Sequence, residues 1–264
     1  MKITLFTSTQ PRHLYLIETL AEIADELYVV QETNTVFPGK APGIFRKSPV
    51  MEAYFRKVDG AEHDIFGLPR FSPPRVRQFV IQRDDLNLMD PDLLGAAWEA
   101  EYFIVFGSSY IRPSLIDRLV DHRAINIHMG VSPYFRGNSC NFWALYDDRP
   151  DLVGATIHML SAGLDTGGIL FHVLPKKGAE DPFRLGMMSV KSAHLAVARK
   201  IKEGSLFDAE PQRQDKTAEL RYSRGIEFSD EVAEAYMSRP WDRDAAFQRT
   251  QDRDLSLFVN PVVI

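Results

Sequence analysis

The chain of 264 residues is long enough for one large domain, or for one domain with a small appendage. A hydrophobic fraction of 45% with 25% charged residues is typical of an ordinary globular protein, which excludes disordered and fibrous architectures. The formal net charge of −5 provides no basic surface for nucleic acid, so a DNA or RNA partner is disfavoured.

The chain has a single cysteine, Cys140, which cannot form an internal disulfide or a cysteine-rich zinc site. We therefore expect a reducing compartment and no metal. The apolar run at residues 1–6 meets polar residues and then Pro11, far short of a signal peptide or a membrane span. These features predict a cytoplasmic protein with no membrane partner.

Short β-rich runs alternate with helix-length segments through most of the chain, which is typical of a βαβ protein with a parallel sheet. Strands are predicted at 3–7, 27–30, 76–81, 102–106, 124–128, 154–160 and 169–173. Helices are predicted at 14–24, 50–58, 91–100, 113–120, 141–146 and 183–202. The expected fold is a Rossmann-like α/β domain with a mostly parallel, twisted sheet and helices on both faces.

The alternation fails beyond about Gly204, where charged and polar residues such as those at 213–216 follow the longest predicted helix. We therefore predict a Rossmann-like domain over residues 1–204. Residues 205–264 are predicted to form a small, less regular C-terminal extension.

Two polar side chains share one face of a predicted strand. Asn126 and His128 are two residues apart, so they project together, while Ile125 and Ile127 project to the opposite face. Polar residues in a buried strand need partners or a task, and the carboxyl edge of such a sheet is where open α/β proteins place their sites. At this point the pair either satisfies loop backbone or belongs to a site.

A glycine-rich turn carries one carboxylate between two predicted strands. Asp165 lies among Gly163, Gly167 and Gly168, and glycine permits positive φ and close backbone approach to a ligand. By itself, such an aspartate more often bonds to its own turn.

Taken in order, these segments resemble the catalytic core of the folate-dependent formyltransferases. The resemblance rests on Asn126-x-His128, Pro133-x-x-Arg136-Gly137, residues 154–158 and Leu164-Asp165-Thr166-Gly167, and it spans about residues 103–171. It implies that Asn126, His128 and Asp165 are the catalytic residues and that N10-formyltetrahydrofolate is the formyl donor. His158 falls where family members commonly carry a histidine of secondary role.

The resemblance also implies a donor site where the fourth main strand ends and where the glycine-rich turn precedes the aspartate. The residues expected to contact folate are Phe106, Gly107, Ser108, Tyr110, Ile111, Gly163 and Leu164. An isolated aromatic or aliphatic residue such as Tyr110 or Ile111 could equally be part of the core.

The acceptor amine distinguishes members of this family. The short segment after the longest helix and the net charge disfavour a tRNA acceptor, and the absence of glycine at residues 7–11 disfavours a purine ribonucleotide. The expected acceptor is an amino sugar of the 4-amino-4,6-dideoxyhexose type, linked to GDP or dTDP and destined for O-antigen or another surface polysaccharide. Candidate acceptor contacts are Tyr134, Arg136 and Asn138, and the aromatic residues Tyr222, Tyr236 and Trp241 could stack on a base or join subunits in a homodimer.

Three other functions stay open at this point. The same residues could hydrolyse formyltetrahydrofolate, with water in place of the amine. The acceptor could be a different small amine. A binding or scaffold protein without catalysis would require Asn126, His128 and Asp165 to lie apart.

Overall fold

An eight-stranded sheet with helices on both sides organises the chain in the computed structural model, which describes residues 1–33, 48–163 and 166–264. The described strands are β1 (Lys2–Thr7), β2 (Glu26–Thr33), β3 (Val76–Gln82), β4 (Tyr102–Val105), β5 (Ile125–His128), β6 (Phe135–Gly137), β7 (Ala155–Met159), β8 (Ile169–Leu174), β9 (Arg221–Ser223) and β10 (Val262–Val263). All except β6 and β9 belong to the main sheet, in the order β10-β8-β7-β5-β4-β1-β2-β3.

The sheet is parallel except at one strand. Strands β3, β2, β1, β4 and β5 pair in parallel, β7 runs antiparallel to both β5 and β8, and β10 runs parallel to β8. The mostly parallel Rossmann-like sheet predicted from the sequence is confirmed. Because parallel strands end at the same edge, the last residues of β1, β2, β4 and β5 meet there.

The described α-helices are α1 (Pro11–Ala21), α2 (Pro49–Phe66), α3 (Pro113–Asp121), α4 (Cys140–Tyr146), α5 (Pro182–Lys202), α6 (Asp230–Ser238) and α7 (Arg243–Gln251). Four of them begin at a proline, where the missing N–H would have no helical partner. The oxygens of Ser48 and Asp181 cap the starts of α2 and α5 by accepting backbone hydrogen bonds from Met51 and Arg184.

The core lies where α1 and α5 pack on the central strands. Leu5, Ile104 and Ile125 are fully buried there. Removing a side chain of this size from water contributes about 1.5–3 kcal/mol, so the central strands are strongly held in register. The buried strands therefore fix the positions at which the loops after them begin.

Three predicted helices differ from their observed forms, and the first of them, predicted at 14–24, is α1 at Pro11–Ala21. The segment predicted as an α-helix at 91–100 is a 3₁₀ helix, Pro91–Glu99, broken by Gly95 at φ +46°. Helix α2 continues to Phe66, past its predicted end at residue 58. In this additional part Glu62 is buried and forms an ion pair with Arg12.

The last part of the chain, residues 205–264, packs against strands of the preceding part. Strand β10 extends the main sheet beside β8, and β9 pairs in parallel with β6. Helices α6 and α7, which the sequence did not predict, lie in this part. The division of the chain at residue 204 stays a prediction.

None of the helices in the three described ranges combines the length and the hydropathy that crossing a membrane requires.

Candidate active site

A cavity of about 900 Å³ opens at the carboxyl edge of the sheet. Its walls are the loops after β1, β4 and β5, the starts of α1 and α5, and the segment 137–145. We call it the main cavity. Asn126 and His128 of β5 line it together with His158 of β7. The antiparallel strands β5 and β7 therefore both present polar side chains to this cavity.

Asn126 contacts His158 across the β5–β7 pair. Their backbones are opposite each other in the register, and Asn126 Nδ2 lies 3.2 Å from His158 Nε2. His158 Nδ1 lies 2.8 Å from the carbonyl oxygen of Met159, so Nδ1 carries the proton and donates it. Nε2 is then the acceptor, which assigns the amide nitrogen of Asn126 to this contact.

His128 is enclosed on one side by small residues. Its Nε2 lies 3.5 Å from the sulfur of Cys140, and the same thiol lies 3.3 Å from the carbonyl oxygen of Gly137. A Cβ on Gly130 would overlap Cys140 and approach His128, and the φ of Gly130 is +152°. The close packing of these residues holds the imidazole at the cavity wall.

The third predicted catalytic residue, Asp165, lies outside the described residues, as does Leu164. The two ends of their turn are described. Gly163 lines the main cavity, and a Cβ on Gly167 would overlap the carbonyl oxygen of Met159 beside His158. The roles of Asp165 and Leu164 stay predictions.

All the residues predicted from the fourth main strand to contact folate line the main cavity: Phe106, Gly107, Ser108, Tyr110 and Ile111. Tyr110 is 57% exposed, whereas Ile111 is buried. Lining the cavity makes these residues available to a ligand, and their contact with folate stays a prediction.

Glu32, near the end of β2, fixes the loop after β4 that contains Ser109, and its role was not predicted from the sequence. The carboxylate is buried and accepts hydrogen bonds from the backbone N–H and the hydroxyl of Ser109, the latter at 2.7 Å, and from the N–H of Asp84 at 3.0 Å. Its recognisable sequence feature is an acidic residue near the end of a strand whose middle part, residues 27–30, is apolar. Charge-assisted hydrogen bonds to backbone N–H groups are strong, so Glu32 fixes the loop that forms one wall of the cavity.

Two buried histidines lie behind the same wall. His13 lines the main cavity and packs on Phe106, with ring centroids 4.9 Å apart, and the ring of His194 meets Phe106 edge-on at 4.7 Å. Burial lowers the pKa of His13 well below its ordinary value and lowers the pKa of His194 to about 3. Both rings are therefore neutral at physiological pH and serve as packing surfaces.

Of the predicted acceptor contacts, Asn138 lines the main cavity and the other two contact different parts of the chain. The Arg136 guanidinium pairs with Glu219 at 2.9 Å. The Tyr134 hydroxyl donates to the carbonyl oxygen of Leu257 at 2.8 Å. In the parallel β6–β9 pair the segment 134–136 packs against the C-terminal part of the chain. The contact of Tyr134, Arg136 and Asn138 with the acceptor stays a prediction.

Within the described ranges, no group of three or more histidine, cysteine, aspartate or glutamate side chains is arranged to hold a metal ion.

The fold and the cavity together indicate the class of protein, which is an α/β enzyme. A Rossmann-like sheet with convergent polar side chains at its carboxyl edge is typical of α/β enzymes that act on small molecules. Residues 77–181 match the family described as formyl transferase. The resemblance seen in the sequence is confirmed.

Individual relatives are distant. The methionyl-tRNA formyltransferase of Thermosynechococcus vestitus is 31% identical over 189 residues, which are 71% of this chain and 51% of that protein. The chain spans about half the length of the curated relatives it matches.

Two solved structures share the fold at 16% identity. A sugar N-formyltransferase from Shewanella has a TM-score of 0.50, with 86% of this chain and 78% of that one covered. A phosphoribosylglycinamide formyltransferase from Anaplasma phagocytophilum has a TM-score of 0.51, with 85% of this chain and 98% of that one covered.

Proposed function

We propose that this protein transfers a formyl group from N10-formyltetrahydrofolate to the amine of a nucleotide-linked amino sugar. The expected sugar is of the 4-amino-4,6-dideoxyhexose type, carried on GDP or dTDP, and the expected process is synthesis of O-antigen or another surface polysaccharide. The observation that carries the proposal is the convergence of Asn126, His128 and His158 on the main cavity in a chain whose residues 77–181 match the formyl transferase family.

The main cavity suits a folate donor in size and lining. Ligand cavities for molecules of this size are typically about 300–1,000 Å³, with mostly apolar walls and a few placed polar groups. The apolar side chains Ile111, Ile116 and Leu160 line the cavity together with the backbone of the loop that Glu32 holds. A flat ring with polar edges fits between such walls.

Formyl transfer requires a hydrogen-bond donor and a group that handles a proton. When bound, the folate supplies the formyl group at N10. The bond between the formyl carbon and N10 breaks as the bond to the amine forms, and tetrahydrofolate leaves with N10 carrying the proton that the amine gives up. Asn126 donates to the formyl oxygen, on which negative charge develops as the amine attacks, and one such donor typically contributes about 10²–10³ in rate. His128 either accepts the proton of the amine or presents its imidazolium to the same oxygen, and Asp165 is proposed to orient the ring.

The acceptor assignment rests on charge and sequence. The net charge of −5 argues for a small acceptor, and the segment 128–143 resembles that of the sugar-modifying members. Asn138 lines the main cavity from this segment and is proposed, together with Tyr134 and Arg136, as an acceptor contact.

A second candidate acceptor is methionyl-tRNA. It is favoured by the curated relatives, which are methionyl-tRNA formyltransferases, and the protein of Thermosynechococcus vestitus among them is 31% identical to this chain. Binding of a tRNA draws mainly on Lys and Arg contacts to phosphates, so this candidate predicts a strong loss of affinity as salt rises.

One assay separates these possibilities. The protein is incubated with N10-formyltetrahydrofolate and, in parallel, with GDP- and dTDP-linked 4-amino sugars, methionyl-tRNA, or no acceptor. Gain of one formyl group by a nucleotide sugar supports the proposal, and gain by methionyl-tRNA alone replaces it with the second candidate. Formate release that needs no amine identifies a hydrolase, and absence of every product contradicts transfer to a nucleotide-linked amino sugar and to methionyl-tRNA alike.

A further inference from the structure

A second cavity of about 440 Å³ adjoins the main cavity, between the middle of α2, the start of α5 and the end of α6. The two cavities share four wall residues, Leu145, Pro182, Phe183 and Tyr236. Asn126 and His128 line the main cavity alone. A ligand held in the second cavity would therefore lie next to the proposed reaction site without contacting its catalytic groups.

The second cavity carries positive charge that the described carboxylates leave uncompensated. Its acidic residue Asp64 is paired with Arg184 at 2.6 Å, and Asp181 caps α5. Lys57, by contrast, has no carboxylate within ion-pair distance among residues 1–33, 48–163 and 166–264, and its ammonium lies 6.0 Å from the ring of Phe183. Arg239 donates to the carbonyl oxygen of Tyr146 at 2.6 Å. Such charges favour an anionic ligand.

The same cavity offers aromatic surfaces. Trp241 is held in place by its indole N–H, which donates to the carbonyl oxygen of Ala179 at 3.2 Å, and Phe183 and Tyr236 pack together with ring centroids 5.5 Å apart. Tyr236 is buried, with 8% of its surface exposed, and its ring lines both cavities. Aromatic faces bind nucleobases by stacking, whatever the base.

Gly60 leaves open space for a ligand at one wall of the second cavity. Gly60 lines the second cavity from α2, and a Cβ added there would meet nothing within 4 Å. A larger side chain at this position would extend into the cavity without displacing neighbouring atoms.

We propose that the second cavity binds the nucleoside diphosphate of the acceptor, with the base against Trp241 and the diphosphate near Lys57 and Arg239. The sugar then lies beside Phe183 and Tyr236, which line both cavities, and presents its amine in the main cavity. This inference rests on the proposed function and adds to it where the nucleotide is held.

Equilibrium binding to the full chain, measured by calorimetry, tests the inference. The probes are GDP, dTDP, the two free nucleosides and inorganic pyrophosphate, and the variants are Lys57→Ala, Trp241→Ala and Gly60→Leu. Each variant removes or blocks one contact, so the Kd of GDP or dTDP should rise at least about tenfold. Lys191→Ala is the matched control, because Lys191 lies on α5 over the ring of Tyr15 and should leave the Kd within about twofold.

The pattern across the probes adds a second criterion. Trp241→Ala should weaken the free nucleosides and leave pyrophosphate unchanged, whereas Lys57→Ala should do the reverse. Nucleotide binding that all three variants leave unchanged overturns the inference, as does failure of the unmodified protein to bind either nucleotide.

Binding of tetrahydrofolate to the same proteins separates this inference from the proposed function. Failure of the unmodified protein to bind tetrahydrofolate contradicts the proposed function, while the nucleotide data still decide the second cavity. Tetrahydrofolate binding together with insensitive nucleotide binding overturns the second cavity alone. The result expected is loss of nucleotide affinity in the three variants with tetrahydrofolate binding unchanged.

Discussion

Asn126 donates its amide N–H to His158 Nε2 at 3.2 Å, and the proton on His158 Nδ1, 2.8 Å from the Met159 carbonyl oxygen, determines this direction. In a neutral histidine whose Nδ1 donates to a backbone carbonyl, Nε2 presents only a lone pair. The amide nitrogen of Asn126 is therefore the atom that contacts His158, on a side chain that lines the main cavity.

Replacing Asn126 tests its role as a hydrogen-bond donor. Asn126→Asp keeps the shape but substitutes an acceptor for the donor, and Asn126→Ala removes both. Each should lower kcat by about a hundredfold or more, on the scale of one lost donor to a developing oxyanion. Steady-state kinetics of formyl transfer measure the effect, with circular dichroism to confirm the fold. A near-normal kcat in both variants would show that Asn126 does not contact the reacting oxygen.

His158 is predicted to act through Asn126 and not on substrate directly. His158→Ala leaves an amide N–H without its acceptor, and an unsatisfied buried group costs about 1–3 kcal/mol. We expect kcat to fall about tenfold or more, with the KM for the folate donor little changed, and His158→Gln to restore part of the loss. Equal effects of the alanine variant in the Asn126→Ala background and in the unmodified protein would contradict coupling between the two residues.

His128 carries the proton chemistry in the proposed function. His128→Ala should reduce kcat by at least about a hundredfold, the lower end of what a positioned acid or base contributes. Cys140→Ser is the matched variant, since it keeps a small polar group beside Nε2 of His128. We expect it to retain most of the activity, and a kcat for His128→Ala equal to that of Cys140→Ser would refute the proposed role.

Glu32 is predicted to control donor binding through the loop at Ser109. Glu32→Gln keeps the size but removes the charge that accepts from the N–H and hydroxyl of Ser109 and from the N–H of Asp84. Hydrogen bonds to a charged group contribute about 1.5–3 kcal/mol each, so the loop should loosen. We expect the KM for the folate donor to rise several-fold while kcat changes less. A selective fall in kcat would indicate instead that Glu32 acts on the reaction.

The buried histidines should make stability fall in mild acid. Burial lowers the pKa of His172 to about 4 although its Nε2 donates to Ser132, and it lowers the pKa of His194 to about 3. Between about pH 6.5 and 4 the unfolded chain binds these protons and the folded protein does not, so the free energy of unfolding falls as pH falls. Each pH unit costs about 1.4 kcal/mol per fully titrating group.

Urea unfolding at pH 7.5, 6.0 and 5.0 measures this dependence. His172→Gln removes one titrating group, so its free energy of unfolding should be lower at pH 7.5 but fall less steeply toward pH 5.0. Parallel curves for the variant and the unmodified protein would show that His172 is not the source.

Much of this protein follows from local sequence pattern. The alternation of apolar runs with helical segments predicts the sheet, because strand and helix periodicities are local properties of the chain. The two-residue spacing of Asn126 and His128 places both on one face of β5, and both line the main cavity. The order of motifs around residues 126 and 165 is sufficient to indicate a resemblance to the formyltransferase family.

Contacts between distant segments were decided by tertiary structure. Asn126 meets His158 because β7 runs antiparallel to β5 in one particular register, and register depends on how the whole sheet packs. Glu32 and Ser109 are 77 residues apart, and only the parallel order of the strands brings them together. The second cavity forms where α2, α5 and α6 meet, so no single segment carries its pattern. The sequence by itself determined which groups each strand presents, and only the tertiary structure decided which of them face one another.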